Sequence, residues 1–147
     1  MISILDYGLG NINAFYNIYK RLDVNVKVIK NIEDLKSVRK LIIPGVGSFD
    51  WAMKMLHQKG FKSYLDDLAL EKTIPILGVC IGMQIMANSS DEGKSSGLGW
   101  INAKVEKFKN ISTLSRSNQT RYIVPHMGWN DVVETQKNYI YSHDSFN

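Results

Sequence analysis

Hydrophobic positions along the chain come in two rhythms that alternate. Ile2-Ser3-Ile4-Leu5-Asp6 reads as a strand, closed by Tyr7-Gly8-Leu9-Gly10. Ile12, Phe15, Tyr16, Tyr19 and Leu22 then recur at helical spacing, which predicts an amphipathic helix from about Asn11 to Leu22. Val24 to Ile29 alternates like a half-exposed strand, and Asn31 stands as an N-cap before a short helix from Ile32 to Val38. Leu41-Ile42-Ile43 is a buried strand running into Pro44-Gly45-Val46-Gly47-Ser48-Phe49. Trp51, Met55 and Leu56 predict a helix that stops at Lys59-Gly60, followed by another from Phe61 to Glu71. Thr73 to Gly78 is a further buried strand, and Ile81, Ile85 and Met86 continue it at helical spacing. Strands alternating with helices make βαβ units, hence an open, largely parallel sheet with helices on both faces.

After Asn88 the pattern changes. Asn88 to Gly97 is polar and reads as a flexible loop. Trp100 to Phe108, Tyr122 to Val124, Asp131 to Val133 and Tyr139 to Tyr141 make the C-terminal part β-rich, with Asn110 to Thr120 a polar hairpin or exposed connection. The 147 residues are expected to form one α/β domain.

In a parallel sheet, ligands bind beyond the carboxyl ends of the strands. Tyr7-Gly8-Leu9-Gly10, Pro44-Gly45-Val46-Gly47 and Cys80 each follow a strand, so all three are expected on one rim. Gly78-Val79-Cys80-Ile81-Gly82 has the strand-to-helix form of a nucleophile elbow, with cysteine in place of serine. A cysteine opening a helix is also favoured as thiolate by the helix dipole. The competing reading is a small buried hydrophobe, the ordinary fate of a lone cysteine. A thiolate nucleophile needs donors for the negative charge its attack creates. Backbone N–H groups of Gly45-Val46-Gly47 and of Ile81 are the candidates; a plain strand-to-helix turn is the alternative for the first three.

Composition trims the possibilities. A single cysteine cannot form an internal disulfide, which points to a reducing compartment. No apolar run approaches membrane-spanning length and no signal-like basic segment opens the chain, so a cytoplasmic location without membrane attachment is expected. The formal charge of +4 comes from scattered lysines without an aromatic-interleaved patch, which argues against a nucleic-acid partner. One cysteine and three scattered histidines give no metal-ligand spacing, and Gly8-x-Gly10 is too short for a dinucleotide fingerprint, so no metal or cofactor is expected.

A cysteine hydrolase also wants a base, normally an oriented histidine. His57 falls on a surface-type helix, and His126 lies in Val124-Pro125-His126-Met127-Gly128-Trp129-Asn130. His143 and Asp144 are adjacent in a strand-like run, so they point to opposite faces and make a poor base–orienter pair. The residues alone therefore supply a nucleophile and an oxyanion hole without a base.

Five segments in order, Asp6-Tyr7-Gly8-Leu9-Gly10-Asn11, Pro44 to Phe49, Gly78 to Gln84, Gly97-Leu98-Gly99-Trp100-Ile101 and Pro125 to Asn130, resemble the class I (triad-type) glutamine amidotransferases. The Pro-Gly-Val-Gly and Pro-His-Met-Gly-Trp-Asn forms resemble those members that serve a (β/α)8-barrel synthase in histidine biosynthesis. The resemblance implies a flavodoxin-like fold and glutamine as substrate. It implies that Cys80 forms a γ-glutamyl thioester and that ammonia passes to the barrel partner in a heterodimer. It also implies substrate contacts from Gly47, Gln84, Ser145 and Phe146, and a partner-facing surface at Asn11, His126, Met127, Gly128 and Trp129. Trp129 as a packed core residue is the alternative there.

Members of that family continue with further strands, helices and a His-Pro-Glu segment that supplies base and orienting carboxylate. The 147 residues contain no such segment, so the domain is expected to lack its C-terminal part and its base. A noncatalytic module that only binds the synthase, an ammonia supplier for surface-sugar amidination, and an unrelated elbow hydrolase using His126 or His143 stand as alternatives.

Overall fold

The computed structural model describes residues 1–107 together with 128, 129 and 131. The chain divides into two units, Met1–Lys107 and Phe108–Asn147, and the architecture that follows is that of the first. The strands expected at 122–124, 132–133 and 139–141 and the connection at 110–120 lie outside the described residues.

Four strands, β1 (Ile2–Leu5), β2 (Val26–Ile29), β3 (Leu41–Gly45) and β4 (Ile76–Cys80), form a wholly parallel sheet in the order β2-β1-β3-β4. The connections are α1 (Ile12–Arg21), α2 (Ile32–Leu35), and α3 (Phe49–Gln58) with α4 (Phe61–Asp66). The path steps outward from β1 to β2, then reverses through β3 to β4. Right-handed crossovers therefore put α1 on one face and α2, α3 and α4 on the other. The principal core agrees: it joins Leu5, Ile29, Leu41 and Ile43 to Leu35, Phe49, Met53, Leu56, Phe61 and Leu65, and holds no residue of α1. Each such side chain stabilises the fold by about 1.5–3 kcal/mol on burial. The strand order changes direction between β1 and β3, and the crevice at such a reversal is where α/β sheets take ligands.

Caps set the helix starts. Asn31 accepts from the Asp34 amide at 3.0 Å and Ser48 from the Trp51 amide at 3.3 Å. Elements are shorter or longer than the pattern suggested where tertiary contacts intervene. Strand β3 runs on through Pro44, a residue without an N–H, because the described β1–β3 pairing ends at Ile42 and Pro44 pairs with Val79 alone. The helix expected from Phe61 to Glu71 is α4 followed by a π-helical turn, Asp67–Glu71, closed by the Lys72 amide donating to Asp67 O at 2.9 Å.

The largest differences follow the elbow. The helix opened by Ile81 is a single turn, α5 (Ile81–Gln84). Carbonyls that would carry it onward are taken by a returning segment: Leu98 donates to Ile85 O at 2.8 Å, Ile101 to Met86 O at 3.0 Å and Gly99 to Ala87 O at 3.2 Å. The stretch from Asn88 to Gly97, expected to be flexible, is pinned instead. Its β5 (Ser89–Ser90) pairs in parallel with β6 (Lys104–Val105), which is all of the strand expected from Trp100 that the described residues hold. Trp100 caps the arrangement, its indole N–H donating to Asp66 at 2.8 Å while Asp66 also pairs with Lys62 at 2.6 Å.

Candidate active site

Asp6 follows the last residue of β1, and its carboxylate accepts from the Gly8 amide at 3.2 Å, closing a tight turn at the strand end. Gly10 is pressed onto the end of β3: a side chain there would meet Pro44 Cβ at 2.7 Å and the Gly45 nitrogen at 3.2 Å. Gly45 in turn stands opposite Cys80 in the β3–β4 register. The three strand ends are thus packed side by side on one rim, in the order β1, β3, β4.

Cys80 is the last residue of β4 and the residue before α5, with φ 55° and ψ −120°. A non-glycine residue with positive φ is costly, by about 1–3 kcal/mol, and such strain collects at functional sites. The strain has a local cause. Strand and helix meet at a sharp angle and leave Cys80 at the apex, exposed to solvent. Gly82 permits the meeting, since a Cβ there would run into the Ile43 carbonyl and lie 2.7 Å from its carbon. The reading of Cys80 as a buried hydrophobe is overturned by this exposure. The helix dipole behind it is that of one turn, because α5 has four residues.

Across the register from Cys80, the chain leaves β3 through Gly45, Val46 and Gly47. Gly47 takes φ +97°, a conformation favouring glycine, with open space where a side chain would be. Val46 and Gly47 are exposed and Gly45 is half-buried. Ile81 and Gly82 are buried behind the elbow.

Gln84 lies one turn beyond Cys80, half-buried, and its Oε1 is enclosed without a hydrogen-bond partner. The Tyr7 phenol oxygen is similarly enclosed and unpartnered. Burial pushes the Tyr7 phenol well above its ordinary range, and the negative charge of Cys80 as thiolate adds to the effect, so this phenol stays a neutral donor near the nucleophile. The sequence placed Tyr7 at a strand end on the rim, with nothing to mark its phenol as a buried donor.

The structure therefore gathers Cys80, Gly45, Val46, Gly47, Ile81 and Gln84 around adjoining strand ends. Asn11 is exposed at the start of α1, where its Oδ1 accepts from the Ala14 amide at 3.2 Å. His57 is exposed on the last turn of α3, as the helix pattern implied. Trp129 is fully exposed rather than packed in a core, and Gly128 has φ +153°. His126, Met127, His143, Ser145 and Phe146 lie outside the described residues. Among the described residues there is no His, Cys, Asp and Glu cluster able to hold a metal, and no helix long and apolar enough to cross a membrane.

Comparison with known proteins gives one consistent picture. The chain is 50% identical over 132 residues to the imidazole glycerol phosphate synthase subunit HisH of Bdellovibrio bacteriovorus, covering 90% of this chain and 62% of that protein. It is 49% identical over 138 residues to the subunit of the same name from Leptospira interrogans, covering 94% of this chain and 65% of that one. The chain thus spans less than two thirds of the length of these curated relatives. A crystal structure of a glutamine amidotransferase shares the fold, with a TM-score of 0.62, 24% identity, and coverage of 71% of this chain and 55% of that one. Residues 3–146 match the model of class I glutamine amidotransferases. With an elbow cysteine exposed at the rim of a parallel sheet, and with that match over nearly its whole length, this chain belongs to the class I glutamine amidotransferase family.

Proposed function

We propose that this chain is the nucleophile-bearing part of the glutaminase subunit of an imidazole glycerol phosphate synthase, acting in histidine biosynthesis. The observation that carries the reading is Cys80 itself, solvent-exposed and strained at the elbow directly opposite Gly45. The identity to the HisH subunits supports the choice of pathway.

In this reading the Cys80 thiolate adds to the carboxamide carbon of glutamine, and the carbonyl electrons move to oxygen. N–H groups of the Gly45-Val46-Gly47 turn and of Ile81 hold the oxyanion. Its collapse breaks the C–N bond; the nitrogen takes a proton and leaves as ammonia, with a γ-glutamyl thioester remaining on sulfur. Water then adds to the thioester, glutamate leaves, and the thiolate returns. Gly47, Gln84, Ser145 and Phe146 seat the substrate, and the enclosed Gln84 Oε1 is an acceptor awaiting a donor such as the substrate's amino group.

Both proton transfers need a base and its orienting carboxylate. We assign these to the part of such proteins that the 147 residues do not span, and read residues 1–147 as one amidotransferase domain without that part. The ammonia is delivered to a (β/α)8-barrel synthase subunit in a cytoplasmic heterodimer. Asn11, His126, Met127, Gly128 and Trp129 contribute the docking face, and the exposed Trp129 ring suits an interface anchor.

A glutamine-analogue chloroketone tests the nucleophile. Mass spectrometry should find one adduct, on Cys80, that is absent from Cys80→Ser; equal labelling of the two proteins counts against the reading. A second reading is a noncatalytic module that binds the barrel without cleaving glutamine, with the exposed Trp129 ring as its anchor. Barrel capture without glutamate release by the assembled complex would select it, and measurable release would eliminate it.

A further inference from the structure

Asp50, in the first turn of α3, is two residues beyond the Ser48 cap and three beyond Gly47. Its carboxylate accepts from the Lys94 amide at 2.9 and 3.0 Å and from the Ser95 amide at 2.8 Å. Three charge-assisted contacts on two successive peptides form a tight clasp. Gly93 makes room for it, since a Cβ at that position would collide with the Asp50 carboxylate. The clasped segment is fastened at both ends to the backbone that follows the elbow. Gly93 donates to Ser90 O at 3.3 Å and Glu92 to Ser90 Oγ at 3.1 Å; Gly97 donates to Asn88 O at 2.8 Å and Leu98 to Ile85 O at 2.8 Å. One carboxylate therefore ties the chain leaving β3 to the chain leaving β4, at the ends of the strands where Gly47 and Cys80 stand.

We propose that Asp50 is a positioning residue that holds the Glu92–Ser96 segment as a side wall of the Cys80 site, fixing the width of the cleft in which glutamine is seated. The inference rests on the reading of Cys80 as a glutaminase nucleophile. Asp50 touches neither substrate nor thiol; it acts through the backbone it holds. Donation from Ser95, then from Lys94, keeps its carboxyl below the ordinary carboxylate range, so the clasp stays charged at neutral pH. The carboxylate is also suited to its place for a second reason, since negative charge in the first turn of α3 is favoured by that helix's dipole.

The test compares the parent with Asp50→Ala and Asp50→Asn in the same chain by three measurements. Amide hydrogen exchange at Lys94 and Ser95 reads the clasp. The chloroketone concentration giving half-maximal labelling of Cys80 reads the cleft. The labelling rate with iodoacetamide, which is too small to need a wall, reads the thiol alone. Asp50→Ala should speed exchange at both amides and raise the half-maximal chloroketone concentration by on the order of tenfold, while leaving the iodoacetamide rate within about twofold. Asp50→Asn, which keeps one acceptor, should fall between. Unchanged exchange in Asp50→Ala overturns the clasp. Faster exchange with unchanged half-saturation overturns the wall and leaves a purely structural contact. An iodoacetamide rate that falls by as large a factor as the half-maximal chloroketone concentration rises also overturns it, because the thiol itself would then be disturbed. A parent that takes up iodoacetamide but no chloroketone overturns the glutaminase reading, and the wall's role toward glutamine with it.

Discussion

Gly82→Ala is a one-carbon change whose consequence can be worked from the backbone. A Cβ at Gly82 would overlap the Ile43 carbonyl oxygen, lie 2.7 Å from the Ile43 carbon and 3.1 Å from the Pro44 carbon. Every one of these atoms is backbone in β3, so no rotamer change relieves the clash. Strand and elbow must part by roughly 1.6 Å to restore ordinary van der Waals spacing. That movement strains the Gly45–Cys80 end of the β3–β4 ladder and loosens Ile81 and Ile85 in the core. Overpacking of a side chain costs about 1–3 kcal/mol, and a clash with backbone alone belongs at or beyond the upper end. At about 2–4 °C per kcal/mol for a chain of this size, a loss of about 3 kcal/mol lowers the melting temperature by roughly 6–12 °C. Thermal unfolding followed by circular dichroism measures it, with Gly47→Ala as the control. At Gly47 a Cβ meets nothing within 4 Å, so only the φ of +97° is penalised, by about 1–2 kcal/mol. A Gly82→Ala protein melting within about 2 °C of the parent, or no lower than Gly47→Ala, would refute the close-packing account of the elbow.

Three further outcomes follow from particular contacts. Cys80→Gly relieves the positive φ that Cys80→Ala retains, so the glycine variant should be the more stable of the two by about 1 kcal/mol in urea unfolding, even after its extra unfolded-state entropy; the opposite order removes the claim of strain. Ser48→Ala deletes the hydroxyl that accepts from the Trp51 amide and should cost about 1 kcal/mol, and a change below about 0.3 kcal/mol would show that the cap is idle. Tyr7→Phe removes an enclosed, unpartnered phenol oxygen, so stability at neutral pH should hold or rise by up to about 1 kcal/mol. The folded phenol titrates above its unfolded value, so its contribution is fully present below about pH 10 and is lost as pH rises beyond it, at up to about 1.4 kcal/mol per pH unit. The Phe variant lacks this loss, and urea midpoints of the two proteins that run parallel from pH 8 to pH 11.5 by the same measurement would contradict it.

By itself the sequence determined the alternation of elements, the parallel sheet and the three strand ends that meet at the rim. Those features are local: Ile2 to Leu5 and Leu41 to Ile43 are apolar runs of strand length, Asn31 and Ser48 are caps, and Gly78-x-Cys80-x-Gly82 is an elbow whose neighbours must be small. It also placed Gly45 and Cys80 on the same rim without knowing that they stand directly opposite each other. Tertiary structure decided what depends on residues distant in the chain. The helix after Cys80 gives way past Gln84 to tighter turns, Met86 donating to Met83 O and Ala87 to Gln84 O, and the next carbonyls, of Ile85, Met86 and Ala87, are taken by Leu98, Ile101 and Gly99. The polar run from Asn88 to Gly97 is held rather than loose because a carboxylate forty-four and forty-five positions earlier, Asp50, binds its amides. Tyr7 becomes a buried donor near the nucleophile only once β1 and β4 are brought to the two sides of β3. Hydrophobic periodicity records which face of an element is buried; it carries no record of which distant backbone groups compete for the same hydrogen bonds.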